Sequence, residues 1–227
     1  MKNHLTTAQR VAKMLLEIKA VTLSPQNPYR FVSGILSPIY TDNRLLMGYP
    51  LKRKEITIYM ANLIKELEFE PDVIAGTSTA GIPPAAWLAE LLNLPMIYVR
   101  SEKKEHGKGK QVEGLLKKGA NVVLVEDLIS TGKSSLSTID AIKEAGGKVN
   151  TCVAFFSYGL SDSERAYKKR KVSLYTLTSL DVLVDMAEKM KLIAPREKSI
   201  ILLWQKDPWG WEEKVKKLQK PERKVEY

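Results

Sequence analysis

Apolar positions in the first third of the chain recur at helical spacing in two places. Val11, Leu15, Leu16 and Ile18 mark an opening helix, and 51–67 reads as a longer amphipathic one. Between them the stretch 31–40, broken by Gly34 and Pro38, predicts a short hairpin or an irregular hood. From residue 73 the pattern changes to short aliphatic runs that alternate with helical segments. Strands are predicted over 73–76, 96–99, 121–125 and 148–156, and helices over 82–92 and 134–145. Strands separated by helices imply right-handed crossovers and a parallel sheet covered on both faces. The fold class is therefore α/β, and ligands of such sheets bind outside the carboxyl ends of the strands. No internal repeat, low-complexity stretch or linker interrupts the pattern, so residues 1–227 read as a single domain.

The most informative segment follows the third of these strands. Val122–Val125 is a run of four aliphatic residues, succeeded by the adjacent carboxylates Glu126 and Asp127 and then by a Ser130-Thr131-Gly132 loop that opens a helix. Such a loop presents unpaired amides and the positive end of the helix dipole, which together bind a phosphate. Acids beside a phosphate cradle repel the ligand unless it also carries groups that need them. A ribose phosphate meets that condition, because its diol donates hydrogen bonds to carboxylates and its anomeric carbon can become cationic. The pair is expected at a solvent-reachable strand end. The Gly132-Lys133-Ser134 triplet is not the end of a triphosphate P-loop, since that motif needs a glycine where this chain has Asp127.

Two further segments follow strands. Gly76 to Gly81 combines glycines with small hydroxyl residues ahead of a helix, so its backbone can approach a second anion. Between Val99 and Val112 no aliphatic residue occurs. Arg100, Lys103, Lys104, His106, Lys108 and Lys110 crowd there with Gly107 and Gly109, which suits either a solvated loop or a mobile cationic lid. Glu102 and Glu105 add negative charge within it, for which we have no account.

Composition narrows the class. The chain has 227 residues, 44% hydrophobic and 27% charged, as expected of a soluble globular domain. Its start leads into a charged amphipathic helix rather than a signal sequence, and its longest apolar runs, such as 200–204, are far too short to cross a bilayer. A cytoplasmic protein without membrane contact is expected. The single cysteine, Cys152, lies in a predicted strand, which excludes an intrachain disulfide and favours a small buried hydrophobe. The net charge of +10 is concentrated in 100–110 and in a basic tail over about 212–227. Neither cluster interleaves aromatic residues for base stacking, so no nucleic-acid partner is expected.

The segment Glu126 to Ser134 resembles the phosphoribosyl-diphosphate (PRPP) motif of type I phosphoribosyltransferases. Further segments resemble, in order, the orotate phosphoribosyltransferase family: Ser33 to Tyr40 with Asp42-Asn43-Arg44, Gly76 to Pro83, and Tyr98 to Ser101 with His106 to Lys110. Phe156 to Leu160 and Asp207 to Trp211 complete the set, so the similarity runs from about Leu15 to Trp211.

The resemblance implies a parallel-sheet type I phosphoribosyltransferase fold with a small N-terminal hood (about 1–50 plus a C-terminal segment). It implies transfer of a phosphoribosyl group from PRPP to orotate, with Asp127, Glu126 and Lys104 as the catalytic positions. PRPP would be held by Glu126, Asp127, Leu128, Ile129, Ser130, Thr131, Gly132, Lys133 and Ser134. Arg100, Lys104 and His106 would bind its diphosphate across a homodimer interface. Orotate would meet Ser130 and the hood near Tyr40 and Thr41. Arg44 is the first candidate to face the orotate carboxylate and Arg165 the second. Mg²⁺ is the implied cofactor, bound through substrate oxygens and water with no direct side-chain ligand expected. This chain departs from relatives at Val32, Ala80, Ser101 and Lys133. Lys133 replaces a second glycine, so positive φ is not expected there. Two other activities share these features: transfer to a different base, and a non-catalytic PRPP-sensing regulator.

Overall fold

The computed structural model describes residues 5–31, 34–101 and 111–219. Helix α1 (Thr7–Glu17) is started by a reciprocal cap, in which the Gln9 amide donates to the Thr6 hydroxyl and the Thr6 amide donates to the Gln9 side chain. The hood follows as β1 (Val21–Leu23), β2 (Tyr29–Arg30), β3 (Leu36–Ser37) and β4 (Ile39–Thr41), with β1 antiparallel to β4 and β2 antiparallel to β3. A 3-10 helix over Asn43–Gly48 leads to α2 (Pro50–Glu66). Pro50 stands at the start of α2, where its missing N–H would have had no partner.

The body then alternates: β5 (Val73–Thr77), α3 (Ile82–Leu92), β6 (Met96–Val99), β7 (Val112–Gly114), β8 (Asn121–Ile129), α4 (Lys133–Glu144) and β9 (Lys148–Ser157). It continues through α5 (Ser161–Lys169), β10 (Ser173–Ser179), α6 (Leu180–Lys189), α7 (Pro195–Lys206) and α8 (Trp211–Gln219). One six-stranded sheet runs in the order β10-β9-β8-β5-β6-β7. All its neighbours are parallel except β7, which pairs antiparallel with β6 at one edge.

Side chains alternate across this sheet into two apolar layers. Ile74, Val123, Val125, Val153 and Phe155 pack with α1, α2, α3 and α6 on one face. Val73, Ala75, Val122, Leu124 and Ala154 pack with α4 and Tyr167 of α5 on the other. Full burial of each such aliphatic or aromatic side chain contributes about 1.5–3 kcal/mol, which is what holds the strand ends in register beneath the site. Cys152 belongs to the second layer, and its burial pushes the thiol pKa far above the ordinary range.

The expected strand 121–125 proves to be longer. β8 continues through both acids to Ile129 because β9 keeps pairing with it, Glu126 opposite Ala154 and Leu128 opposite Phe156. The hood is fastened to the body by C-terminal residues. The Trp204 indole donates to the Leu36 carbonyl at 3.1 Å, and the Tyr158 hydroxyl donates to Thr41 Oγ1 at 3.1 Å. The rings of Tyr158 and Trp204 meet edge to face with centroids 5.3 Å apart. The expected basic tail is helical from its start as far as Gln219, and 220–227 lies outside the described residues.

Candidate active site

Ser130 and Thr131 follow the end of β8 at Ile129, and Gly132 turns the chain into α4 with φ of 75°. That left-handed conformation is easy only for a residue without Cβ. Lys133 is already the first helical residue and has no positive φ, as expected where the relatives' glycine is replaced. The Gly132 carbonyl accepts from the Leu136 amide at 2.9 Å and from Ser135 Oγ at 2.9 Å. The helix N-terminus therefore opens toward a cavity of about 620 Å³. Glu126, Asp127, Leu128, Ser130, Thr131, Gly132, Lys133 and Ser134 line it, together with Thr77 to Ala80, Arg100 and Ser101. Ile129 does not, because its side chain is only 1% exposed in the apolar layer beneath.

The acid pair departs from its expected setting. Glu126 is 4% exposed, so it is buried rather than at a solvent-reachable strand end, while Asp127 is half-buried. Continued pairing of β9 along β8 places Glu126 inside the sheet, where an isolated carboxylate is poorly solvated. Burial, followed by the neighbouring Asp127 charge, raises the Glu126 pKa to about 8. Burial likewise raises Asp127 to about 6, against the lowering effect of backbone amides and of Arg44. The Thr77 hydroxyl lies close enough to favour the Glu126 carboxylate, yet Thr77 Oγ1 and Glu126 Oε1 both lack a completed hydrogen bond. These are unsatisfied polar atoms at the edge of a ligand-sized cavity.

The Gly76–Gly81 turn faces the acids. A Cβ on Gly81 would stand 2.7 Å from the Val125 carbonyl oxygen and 2.9 Å from the Thr77 backbone, so only glycine lets this turn close onto β8. The Ser78–Thr79 peptide is cis. Ala80 lines the cavity with a methyl group only, so it supplies no charge there.

Arg100 reaches the same cavity and also lies 3.8 Å from Glu113 on β7. Its amide donates to the Gln111 carbonyl at 3.0 Å and its carbonyl accepts from Gln111 Nε2 at 2.7 Å, so both ends of the cationic segment are pinned together. Lys104 and His106, with the rest of 102–110, lie outside the described residues, as do Val32 and Ser33. Tyr40, Thr41 and Arg44 are not part of the cavity wall. Tyr40 is partly exposed beside Tyr29, Thr41 is engaged by Tyr158, and Arg44 grips Asp42 through two hydrogen bonds of 2.6 and 2.9 Å. Arg44 remains near enough to Asp127 to lower its pKa. Arg165 is paired with Asp162 on α5 and lies away from the cavity.

Sequence reasoning missed several contributors, Val99 and Gln111 of the cavity wall among them. Ser137 and Thr138 also line the cavity, one turn beyond Ser134 on the same helix face, a spacing that could have identified them. Asn43, almost fully buried, donates to the Asp127 carbonyl and ties the hood to the acid strand, for which no local pattern exists. Among the described residues, no group of three or more His, Cys, Asp or Glu side chains could hold a metal ion.

Residues 50–186 match the phosphoribosyl transferase domain family. An orotate phosphoribosyltransferase of Listeria innocua is 49% identical over 203 residues, covering 89% of this chain and 97% of its own. The crystal structure of orotate phosphoribosyltransferase from Aeropyrum pernix superimposes with a TM-score of 0.65 at 29% identity, over 81% of this chain and 99% of that one. UMP synthase of Leishmania donovani gives 0.76 at 25% identity, over 88% of this chain and 42% of that longer protein. Near-half identity over almost the whole length, together with the matching domain family, means that this chain belongs to the orotate phosphoribosyltransferase family.

Proposed function

We propose that this protein transfers the phosphoribosyl group of PRPP to N1 of orotate, giving orotidine 5′-monophosphate and diphosphate in pyrimidine biosynthesis. The observation that carries this reading is the convergence of the acid pair, the Ser130–Ser134 loop and the Thr77–Ala80 turn on one cavity. The loop suits the 5′-phosphate, whose charge is met by first-turn amides of α4 and by the Lys133 ammonium. Glu126 and Asp127 suit the ribose diol. The Thr77–Ala80 turn and Arg100 face the space left for the diphosphate.

The raised pKa values have a use in this scheme. Burial and the neighbouring Asp127 charge favour the protonated form of Glu126 in the free protein, which lessens the repulsion that an incoming polyanion meets. As diphosphate departs, positive charge develops on the ribose, and the Asp127 carboxylate beside it would stabilise that charge. No protein nucleophile is required, because orotate supplies the attacking nitrogen. The protein's contribution is alignment and electrostatics. Mg²⁺ belongs to the same proposal, and the unsatisfied Glu126 Oε1 and Thr77 Oγ1 fit hydrogen bonds from its water shell. When bound, it would neutralise the leaving diphosphate.

A homodimer with lids shared between subunits is part of the proposal, with Lys104 and His106 reaching the partner's diphosphate. Leu45, Met47, Tyr49, Leu51 and Ile58 support it as a run of exposed apolar side chains on the 3-10 helix and α2, the kind of face that a second copy covers. A cytoplasmic setting comes from the family resemblance. The test is acceptor choice: purified protein with PRPP and Mg²⁺ should consume orotate faster than uracil, adenine or hypoxanthine. Faster turnover of another base would overturn the acceptor while leaving the fold and the PRPP site in place.

A further inference from the structure

Beneath the Ser130–Ser134 loop lies a chain of buried hydroxyls that the reaction itself does not use. Tyr167, on α5 and only 2% exposed, donates from its hydroxyl to Ser135 Oγ at 2.6 Å. Ser135, fully buried in the first turn of α4, donates in turn to the Gly132 carbonyl at 2.9 Å. Cys152 Sγ lies 3.4 Å from the same phenol oxygen. Burial pushes the phenol and thiol pKa values well above their ordinary range, so both groups keep their protons. The Tyr167 ring also backs the glycine itself, since a Cβ on Gly132 would stand 3.0 Å from its Cε2 atom.

The direction of these bonds matters. In a trans peptide the carbonyl and the following N–H point opposite ways. Drawing the Gly132 carbonyl down into the helix therefore turns the Lys133 N–H up, toward the cavity that Gly132 and Lys133 line. A lone serine hydroxyl can rotate to other acceptors. One that already accepts from a tyrosine has its proton left for a single partner, and consecutive hydrogen bonds polarise one another.

We propose that Tyr167, acting through Ser135, is a positioning residue for the ribose 5′-phosphate, fixing the Gly132–Lys133 peptide so that its N–H meets the anion. This rests on the reading of the Ser130–Ser134 loop as the 5′-phosphate cradle. It concerns one end of the substrate only, because the diphosphate faces a different turn.

That asymmetry gives the test. Tyr167→Phe, Ser135→Ala and the double variant, each in the full chain, are titrated calorimetrically with ribose 5-phosphate and separately with inorganic diphosphate. KM is measured for PRPP and orotate, and Tm for each variant. Each single variant should weaken ribose 5-phosphate by about five- to tenfold, the size of one hydrogen bond. The double variant should be no worse than the weaker single one, since both break the same chain. Diphosphate affinity and the KM for orotate should stay within about twofold of wild type, below the effect of one ordinary hydrogen bond. A lower Tm with ribose 5-phosphate affinity unchanged, or equal weakening of both ligands, would overturn the proposal by reducing the chain to a structural role. A wild-type protein that binds no ribose 5-phosphate would overturn it too. If the binding effects hold but orotate is not the acceptor, only the acceptor assignment falls. Should Tyr167→Phe fail to fold, Ser135→Ala carries the same comparison.

Discussion

Asn43 Nδ2 donates to the backbone carbonyl of Asp127 at 2.7 Å, joining the hood to the acid strand across 84 positions of sequence. Asn43 is 2% exposed and Asp127 half-buried, so the bond is partly shielded from water. The bond couples the position of the hood to that of the acid strand.

Asn43→Ala should therefore leave a buried carbonyl without its donor and cost about 1–3 kcal/mol of stability. Urea unfolding would measure the loss. The KM for orotate should rise more than the KM for PRPP, because the Ser130–Ser134 loop keeps its own support. Unchanged stability and unchanged KM for orotate would show that the hood is located by its other contacts.

Asp127→Asn should fold and yet lose about a hundredfold in kcat, since a neutral amide cannot answer charge developing on the ribose. Stability near neutral pH should hold or rise slightly, because burial already disfavours the charged form of this carboxyl. Steady-state kinetics at saturating orotate and PRPP, with wild-type values retained, would remove the acid pair from the mechanism.

Glu126 gives the pH prediction. Its folded pKa is raised from 4.5 to about 8, so the unfolded chain releases this proton first as pH increases. The group's contribution to stability is then present in full below about 4.5 and is lost as pH climbs through about 8. Asp127, raised from 3.8 to about 6, acts in the same direction over a lower window. The ligand-free protein should show a Tm that declines between about pH 5 and pH 8, and Glu126→Gln should flatten most of that decline. A wild-type profile that rises over this interval would mean that Glu126 is ionised in the folded state.

The turn opposite the acids offers a steric test. Gly81→Ala drives a methyl group to 2.7 Å from the Val125 carbonyl oxygen and 2.9 Å from Thr77 backbone atoms, none of which can swing aside. The expected cost is about 3 kcal/mol or more, with loss of PRPP binding. Gly48→Ala is the control, because nothing lies within 4 Å of a Cβ built there and its φ is not positive. Equal denaturation midpoints for the two variants would show that the turn relaxes freely.

How much of this was legible beforehand depends on the range over which each feature is encoded. The Val122–Val125 run, the following acids and the Ser-Thr-Gly loop are contiguous, so the strand, the loop and the helix were readable together. The end of β8 was not, because pairing of Glu126 and Leu128 with β9 overrode the usual meaning of two acids after an aliphatic run. Ser173–Ser179 escaped notice because its Ser and Thr positions break the aliphatic signal, although its register on β9 makes it a strand. The short antiparallel Val112–Gly114 strand is defined by its pairing with Ile97, Tyr98 and Val99 rather than by its own residues. Asn43–Asp127, Tyr158–Thr41 and Tyr167–Ser135 join residues 84, 117 and 32 positions apart, so each exists only once the chain has folded.

The lid provides the last prediction. Arg100 and Gln111, which flank residues 102–110 in sequence, are hydrogen-bonded to each other, and the proposed sharing of Lys104 between subunits can be tested by mixing defective chains. If Lys104 serves the partner's site, Lys104→Ala and Asp127→Asn chains will each be nearly inactive as homodimers. In a mixed dimer one site combines the normal lid of the Asp127→Asn chain with the normal acid pair of the Lys104→Ala chain. That site should turn over, while the other carries both defects. Random pairing makes about half the dimers mixed with one good site each, so co-refolded mixtures should regain up to about a quarter of wild-type activity per total site. Subunit exchange is verified with differently tagged chains. Recovery no greater than the sum of the two parent activities, after proven exchange, would assign the lid to its own subunit.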